Sequence, residues 1–171
     1  MRKLSIWALV LAVSILIISG CQSPENEELM SFQANELLIA YPVSWPIGST
    51  AYECATVTQL DSLKLIMFEA CPDKDGKMLD KDGGYKNFLA ALTKAKDKET
   101  TVTKKKVGKL DVDLISYDKR PFTDNIYTIL SPEGTIALWQ GKASNYALLD
   151  EGNQHQKDGK FELVLNNIEL L

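Results

Sequence analysis

Leu37-Leu38-Ile39-Ala40-Tyr41-Pro42-Val43-Ser44-Trp45 reads as a strand that runs into a corner. The run from Leu37 to Tyr41 is apolar throughout and leads directly into the Tyr-Pro-x-x-Trp corner. Pro42 has no N–H to give to a sheet ladder and stops it. Trp45 then carries a large apolar ring with one polar N–H, suited to covering the edge of a core. On this reading Pro42 and Trp45 are structural.

Working outward from that corner, the chain alternates short β-like runs with turn signals, which points to an antiparallel sheet. Ala51–Leu60 and Leu63–Ala70 form one expected hairpin about Asp61-Ser62. Leu110, Val112 and Leu114 alternate with Asp111 and Asp113, the pattern of a strand with one wet face. The clearest pair is Ile126–Leu130 with Thr135–Gly141, because Ser131-Pro132-Glu133-Gly134 between them places Pro and Gly at the second and fourth positions of a type I turn. Two helices interrupt the strands. Tyr85, Phe88, Leu89, Leu92 and Ala95 share one helical face within Gly84–Lys98. Phe161, Val164, Leu165, Ile168 and Leu171 do the same after Asp158, the expected N-cap. The expected fold is α+β, with an antiparallel sheet packed against a middle helix and a C-terminal helix.

Tyr41-Pro42-x-x-Trp45 at the end of an early strand resembles the aromatic-Pro-x-x-Trp corner of the PsbP-like superfamily of small exported α+β domains. The resemblance extends to element order over Phe32–Leu171: a middle helix, a run of antiparallel strands and a C-terminal helix. It implies a PsbP-like fold and carries over no functional residues, since members share no single activity. The paired cysteines and an acidic insertion near residue 75 depart from it.

At the N-terminus, Met1-Arg2-Lys3 is basic, and Leu4 to Ile18 is apolar apart from Ser5 and Ser14, matching a secretory signal. The run is shorter than the roughly 20 residues that a spanning helix needs. Ile18-Ser19-Gly20-Cys21 resembles the lipobox of bacterial lipoproteins, which implies cleavage after Gly20 and diacylglycerol on the Cys21 sulfur. Two acyl chains give stable anchoring where one is marginal. Residues 1–20 are therefore expected to be a signal peptide, 21–28 a lipidated cysteine and polar tether, and 29–171 a single domain. The expected location is the outer face of the cytoplasmic membrane, or the outer membrane of a host that has one.

The chain has 19 basic and 23 acidic residues; without Arg2 and Lys3 the balance is 17 to 23, a net charge of −6. Such a balance disfavours nucleic acid as a partner. Arg120 is the sole arginine after the signal, so bidentate recognition of carboxylate or phosphate has little to draw on. Lys104-Lys105-Lys106, with Lys109, reads either as a solvated strand end or as a contact for anionic lipid.

Cys54 and Cys71 flank the first hairpin one diagonal step from a direct pair, and two readings stay open: a disulfide, or two buried thiols. Between Cys71 and Gly84, Asp73, Asp75, Asp80 and Asp82 make an oxygen-rich loop that suggests weak calcium binding, although EF-hand spacing is unmet. The competing reading is a solvated loop capping the helix. His155, the only histidine, lies in a polar stretch and is expected to be a solvated loop residue. Catalytic triads and zinc sites usually draw on histidine as base or ligand, and this single exposed candidate gives them little to build on. Asp111 and Asp113 are expected to be surface charges.

These readings favour a membrane-anchored, non-catalytic binding or accessory module of the cell envelope. Its expected partners are membrane lipid through the anchor and an envelope protein or small ligand; no cofactor is expected beyond the lipid. The alternative is an envelope enzyme or calcium-binding protein using the carboxylates of residues 73–82. A third is a purely structural lipoprotein.

Overall fold

The computed structural model describes residues 27–69, 71–73, 75–94, 102–118 and 129–171. Among the described residues the fold is mixed, with two helices and two sheets in which every strand pairing is antiparallel. In chain order the elements are β1 (Leu29–Ala34), β2 (Leu37–Pro42), β3 (Ile47–Ala51), β4 (Ala55–Leu60), β5 (Leu63–Phe68) and α1 (Lys81–Lys94). They continue with β6 (Thr103–Val107), β7 (Leu110–Tyr117), β8 (Gly134–Gln140), β9 (Asn145–Glu151), α2 (Lys160–Asn166) and β10 (Ile168–Leu170). The large sheet has the order β3-β4-β5-β9-β8-β7-β6, and the small one β1-β2-β10.

Period-two alternation on the central strands divides the interior in two. Ala137, Trp139, Tyr146 and Leu148 face one core, which the small sheet closes with Leu37 and Ile39 and α2 closes with Phe161, Val164 and Leu165. Ile136, Leu138, Ala147 and Leu149 face the other core, which α1 closes with Phe88, Ala91 and Leu92. The large sheet is thus a middle layer covered on both faces, so β8 and β9 read as near-continuous apolar runs.

Trp45 occupies the corner position. Its N–H donates to the Pro42 carbonyl at 3.0 Å, and its ring is buried in the first core. The hairpin about Asp61-Ser62 forms β4 and β5, with Leu60 opposite Leu63. Cys54 and Cys71 are joined by a disulfide beyond the ends of these strands, with their Cα atoms 5.3 Å apart.

Three expectations are corrected. Gly134–Gln140 does not pair with Ile126–Leu130, because β7 and β9 fill both its edges. Ile129 and Leu130 lie outside any strand, and 126–128 fall outside the described residues. The local Pro-Gly turn signal lost to the longer, more apolar pairings that β8 makes with its other neighbours.

The last helix ends at Asn166; Ile168 and Leu170 enter β10, which pairs with β2. Its apolar residues match a helix and a short strand alike, and Asn167 supplies the cap that separates the two. The middle helix begins at Lys81, three residues before the expected start at Gly84. Residues 95–98 of its expected span fall outside the described residues.

Candidate functional site

The loop from β9 to α2 turns sharply, with Gly152, Asn153 and Gly159 all at positive φ (62°, 55° and 75°). Between these turns the His155 N–H reaches both carboxylate oxygens of fully buried Asp150 at 3.1 Å, while its carbonyl accepts from the Phe161 N–H at 3.2 Å. The residue is held from both sides, and its ring is carried inward.

His155 is therefore not the expected solvated loop residue. It is 8% exposed. Its Nδ1 lies 3.0 Å from Asp158 Oδ2, its Nε2 lies 3.1 Å from Asp61 Oδ2, and its ring lies against that of Trp45, with centroids 4.7 Å apart. Three segments far apart in sequence meet on one imidazole: the β2–β3 corner, the β4–β5 turn and the β9–α2 loop. Asp61 sits in the left-handed region at φ 54°, which Asp tolerates better than most residues. Asp158 also accepts the Lys160 N–H at 3.0 Å, giving the first turn of α2 its side-chain acceptor while Gly159 holds the cap position.

The electrostatics follow from these contacts. Burial works to raise the Asp158 pKa, but the His155 hydrogen bond, the Lys160 N–H and the charges of both residues outweigh it and hold the carboxyl below its ordinary value near 3.8. A neutral imidazole donates from one nitrogen only, so a proton on each is needed to donate to both carboxylates. The Lys160 Nζ adds a cation 5.5 Å from the Trp45 ring centroid and 3.3 Å from Glu27.

Chemically the arrangement is a clamp. A nucleophilic pair needs an imidazole nitrogen facing a hydroxyl or thiol. Both His155 nitrogens face carboxylates instead, and Ser62 Oγ, buried beside Asp61 in sequence, finds no partner among the described residues.

The other expected residues are placed separately. Asp73 accepts the N–H groups of Asp75 and Lys77, both at 2.9 Å. Asp80 accepts from Gly83 at 2.7 Å at the start of α1, and Asp82 accepts from Gln140 at 3.0 Å. Among the described residues no group of three or more His, Cys, Asp or Glu side chains is gathered as a metal would need. Through Asp73 and Asp80 the loop folds around its own backbone, while Asp82 ties the start of α1 to β8.

A groove of about 560 Å³ opens beside α1, bordered by Tyr85, Lys104, Lys106, Asp113 and Gln140. Here Asp113 is corrected: it is buried, accepting the Tyr85 hydroxyl at 2.8 Å, with Lys104 Nζ at 3.5 Å. Burial, followed by the hydrogen bond and charge of Asp113, pushes the Tyr85 pKa well above its ordinary value of 10.0. The lysine run forms the edge strand β6. Lys106 meets exposed Asp111 at 2.7 Å, and Lys105 meets Glu162 of α2, so each of the three lysines has a carboxylate partner.

Sequence reasoning missed the meeting of Trp45, Asp61 and His155 because nothing local links them. The one local signal was Asp158 three residues after His155, a spacing that lets a ring and a carboxylate meet across a turn. In comparisons with known proteins the chain matches no family model and no curated protein.

Proposed function

We propose that this chain is an exported lipoprotein, anchored through acyl chains on Cys21, whose α+β domain is PsbP-like and serves as a non-catalytic binding or accessory module of the cell envelope. The observation that carries the reading is Ile18-Ser19-Gly20-Cys21 at the end of a basic-then-apolar start. The Cys54–Cys71 disulfide supports it, because such bonds persist outside the reducing cytosol.

The placement of the first described residues fits an anchor close by. Glu27 meets Lys160, and the Glu28 carbonyl accepts the Val43 N–H at 2.9 Å, so the chain is engaged with the domain before β1 begins. From Cys21 to Glu27 is six residue steps, about 20 Å at full extension. The domain would therefore ride close to the bilayer. For the PsbP-like assignment, support comes from the buried corner at Trp45 and from the order of α1, the later strands and α2; the closing strand β10 is a departure. The non-catalytic reading is supported by the clamp at His155, where no ring nitrogen is directed at a nucleophile.

Fractionation tests the proposal. The wild-type chain should stay with carbonate-washed membranes, and Cys21→Ala should leave them with the thermal stability of the domain unchanged. Retention of Cys21→Ala on washed membranes would contradict the reading. A calcium-dependent rise in melting temperature abolished by Asp73→Ala would favour the calcium-binding alternative.

A further inference from the structure

The two edges of the large sheet differ in chemistry. At one end, β6 carries Lys104, Lys105 and Lys106, a charge pattern that resists pairing with another strand. At the other end, β3 is Ile47-Gly48-Ser49-Thr50-Ala51, has no charged residue, and is exposed along its whole length. Edges of this kind are templates for strand addition.

The hydrogen-bond phase of β3 fixes what its open side presents. Tyr52 N donates to Ala55 O at 2.7 Å and Asp61 N donates to Pro46 O at 3.3 Å, so the even-numbered residues exchange backbone hydrogen bonds with β4. Ile47, Ser49 and Ala51 are therefore the residues whose N–H and C=O groups point away from the sheet. The close approach of Ser49 and Thr58, whose hydroxyls are 2.8 Å apart, agrees with a non-hydrogen-bonded pair at that position.

We infer that β3 is a self-association edge, pairing antiparallel with β3 of a second copy of this chain about a twofold axis at Ser49. That register places Ser49 opposite Ser49 of the second copy and Ile47 opposite Ala51, so the one large side chain meets a small one. It uses all three outward-facing residues on each copy, whereas a shift of two residues strands one of them. It opposes no like charges, which the same operation on β6 would do. The contact is isologous and closes at two copies. The inference concerns the folded domain alone and does not depend on how the chain is anchored.

Disulfide trapping of the purified full chain tests it. In the proposed register two copies of Ser49→Cys stand at the Cα separation of a hydrogen-bonded pair, about 5.5 Å, within reach of a disulfide. The side chain of Thr50→Cys lies on the other face, opposite Gly48. The unaltered chain, whose Cys54 and Cys71 are joined to each other, sets the background. We expect Ser49→Cys to give several-fold more cross-linked dimer than either Thr50→Cys or Lys105→Cys on the opposite edge. Equal trapping of all three, or none above background, would overturn the inference. Sedimentation gives a second reading without cysteine chemistry. The unaltered chain should form a dimer that Ser49→Lys dissociates, and a monomer in both cases would overturn the pairing.

Discussion

His155 joins three segments through one ring, so its removal should be felt beyond its own loop. His155→Ala deletes two hydrogen bonds to carboxylates and the face against Trp45, but Asp61 and Asp158 are partly exposed and can resolvate. The expected loss is about 1–3 kcal/mol, read as a fall in urea midpoint at constant slope. Asp158 adds a pH signature. Its folded pKa lies below the ordinary value, so its contribution is complete above about pH 4 and is lost as pH falls through the folded pKa. Asp158→Asn should therefore cost no more than about 1 kcal/mol at neutral pH, after allowance for its exposure. The gap from wild type should shrink in acid. A gap that widens on acidification would contradict the role given to its charge.

Tyr85 is the corresponding case on the other face of the sheet. Its raised pKa means that the neutral phenol is favoured by folding, a contribution present below pH 10 and lost as pH rises through the folded pKa. Tyr85→Phe leaves Asp113 buried with only the more distant Lys104, and should cost about 1–3 kcal/mol. In an alkaline absorbance titration, the Tyr85 phenol should ionise only with unfolding. The Asp111 and Asp113 pair shows why this was not legible in sequence. Alternation gives both the same strand face, but Asp111 lies beyond the cover of α1 while Asp113 lies under Tyr85.

At the scale of elements, what the sequence disclosed depended on how local the cause was. The hairpin of β4 and β5 was readable because two polar residues separate two apolar runs, and the structure pairs Leu60 with Leu63 across them. The end of β2 and its corner were readable because proline ends a ladder by its own chemistry. Pairing partners were harder. The segment that opens at Gly134 carried a turn signal on one side, while its true partners lie on separate strands selected by burial on both faces. The C-terminal segment shows the limit of periodicity, since Ile168 continues the helical face of Phe161 and Leu165 yet pairs as a strand with Ile39. Of the candidate residues, Asp158 had a local signal before the last helix, where the structure gives the cap position to Gly159 instead; the clamp at His155 had none across the 94 positions that separate it from Asp61.

The disulfide belongs to the same scale. It joins residues 17 positions apart, closing a loop that contains the β4–β5 hairpin, and ties the segment leading to α1 back to the sheet. By loop-closure arguments its loss should destabilise by about 2–4 kcal/mol. Unfolding of the chain with and without reductant measures this, and unchanged stability on reduction would show that the bond does not constrain the unfolded chain as argued.

For the whole molecule, the layers place the clamp and the N-terminal entry together. Glu27 meets Lys160, Lys160 lies over Trp45, and Trp45 packs on His155, so the chain arriving from the proposed anchor is joined to the first core through one continuous set of contacts. Among the described residues no helix is long and apolar enough to cross a membrane. In the proposed account, attachment rests on the lipid, and the short approach from Cys21 sets how far the domain stands from the surface. Mass spectrometry of the mature N-terminus tests that claim most directly. The account predicts a chain that begins at Cys21 and carries the mass of a diacylglyceryl group on its sulfur; an unmodified Cys21, or a mature chain that starts elsewhere, would contradict it.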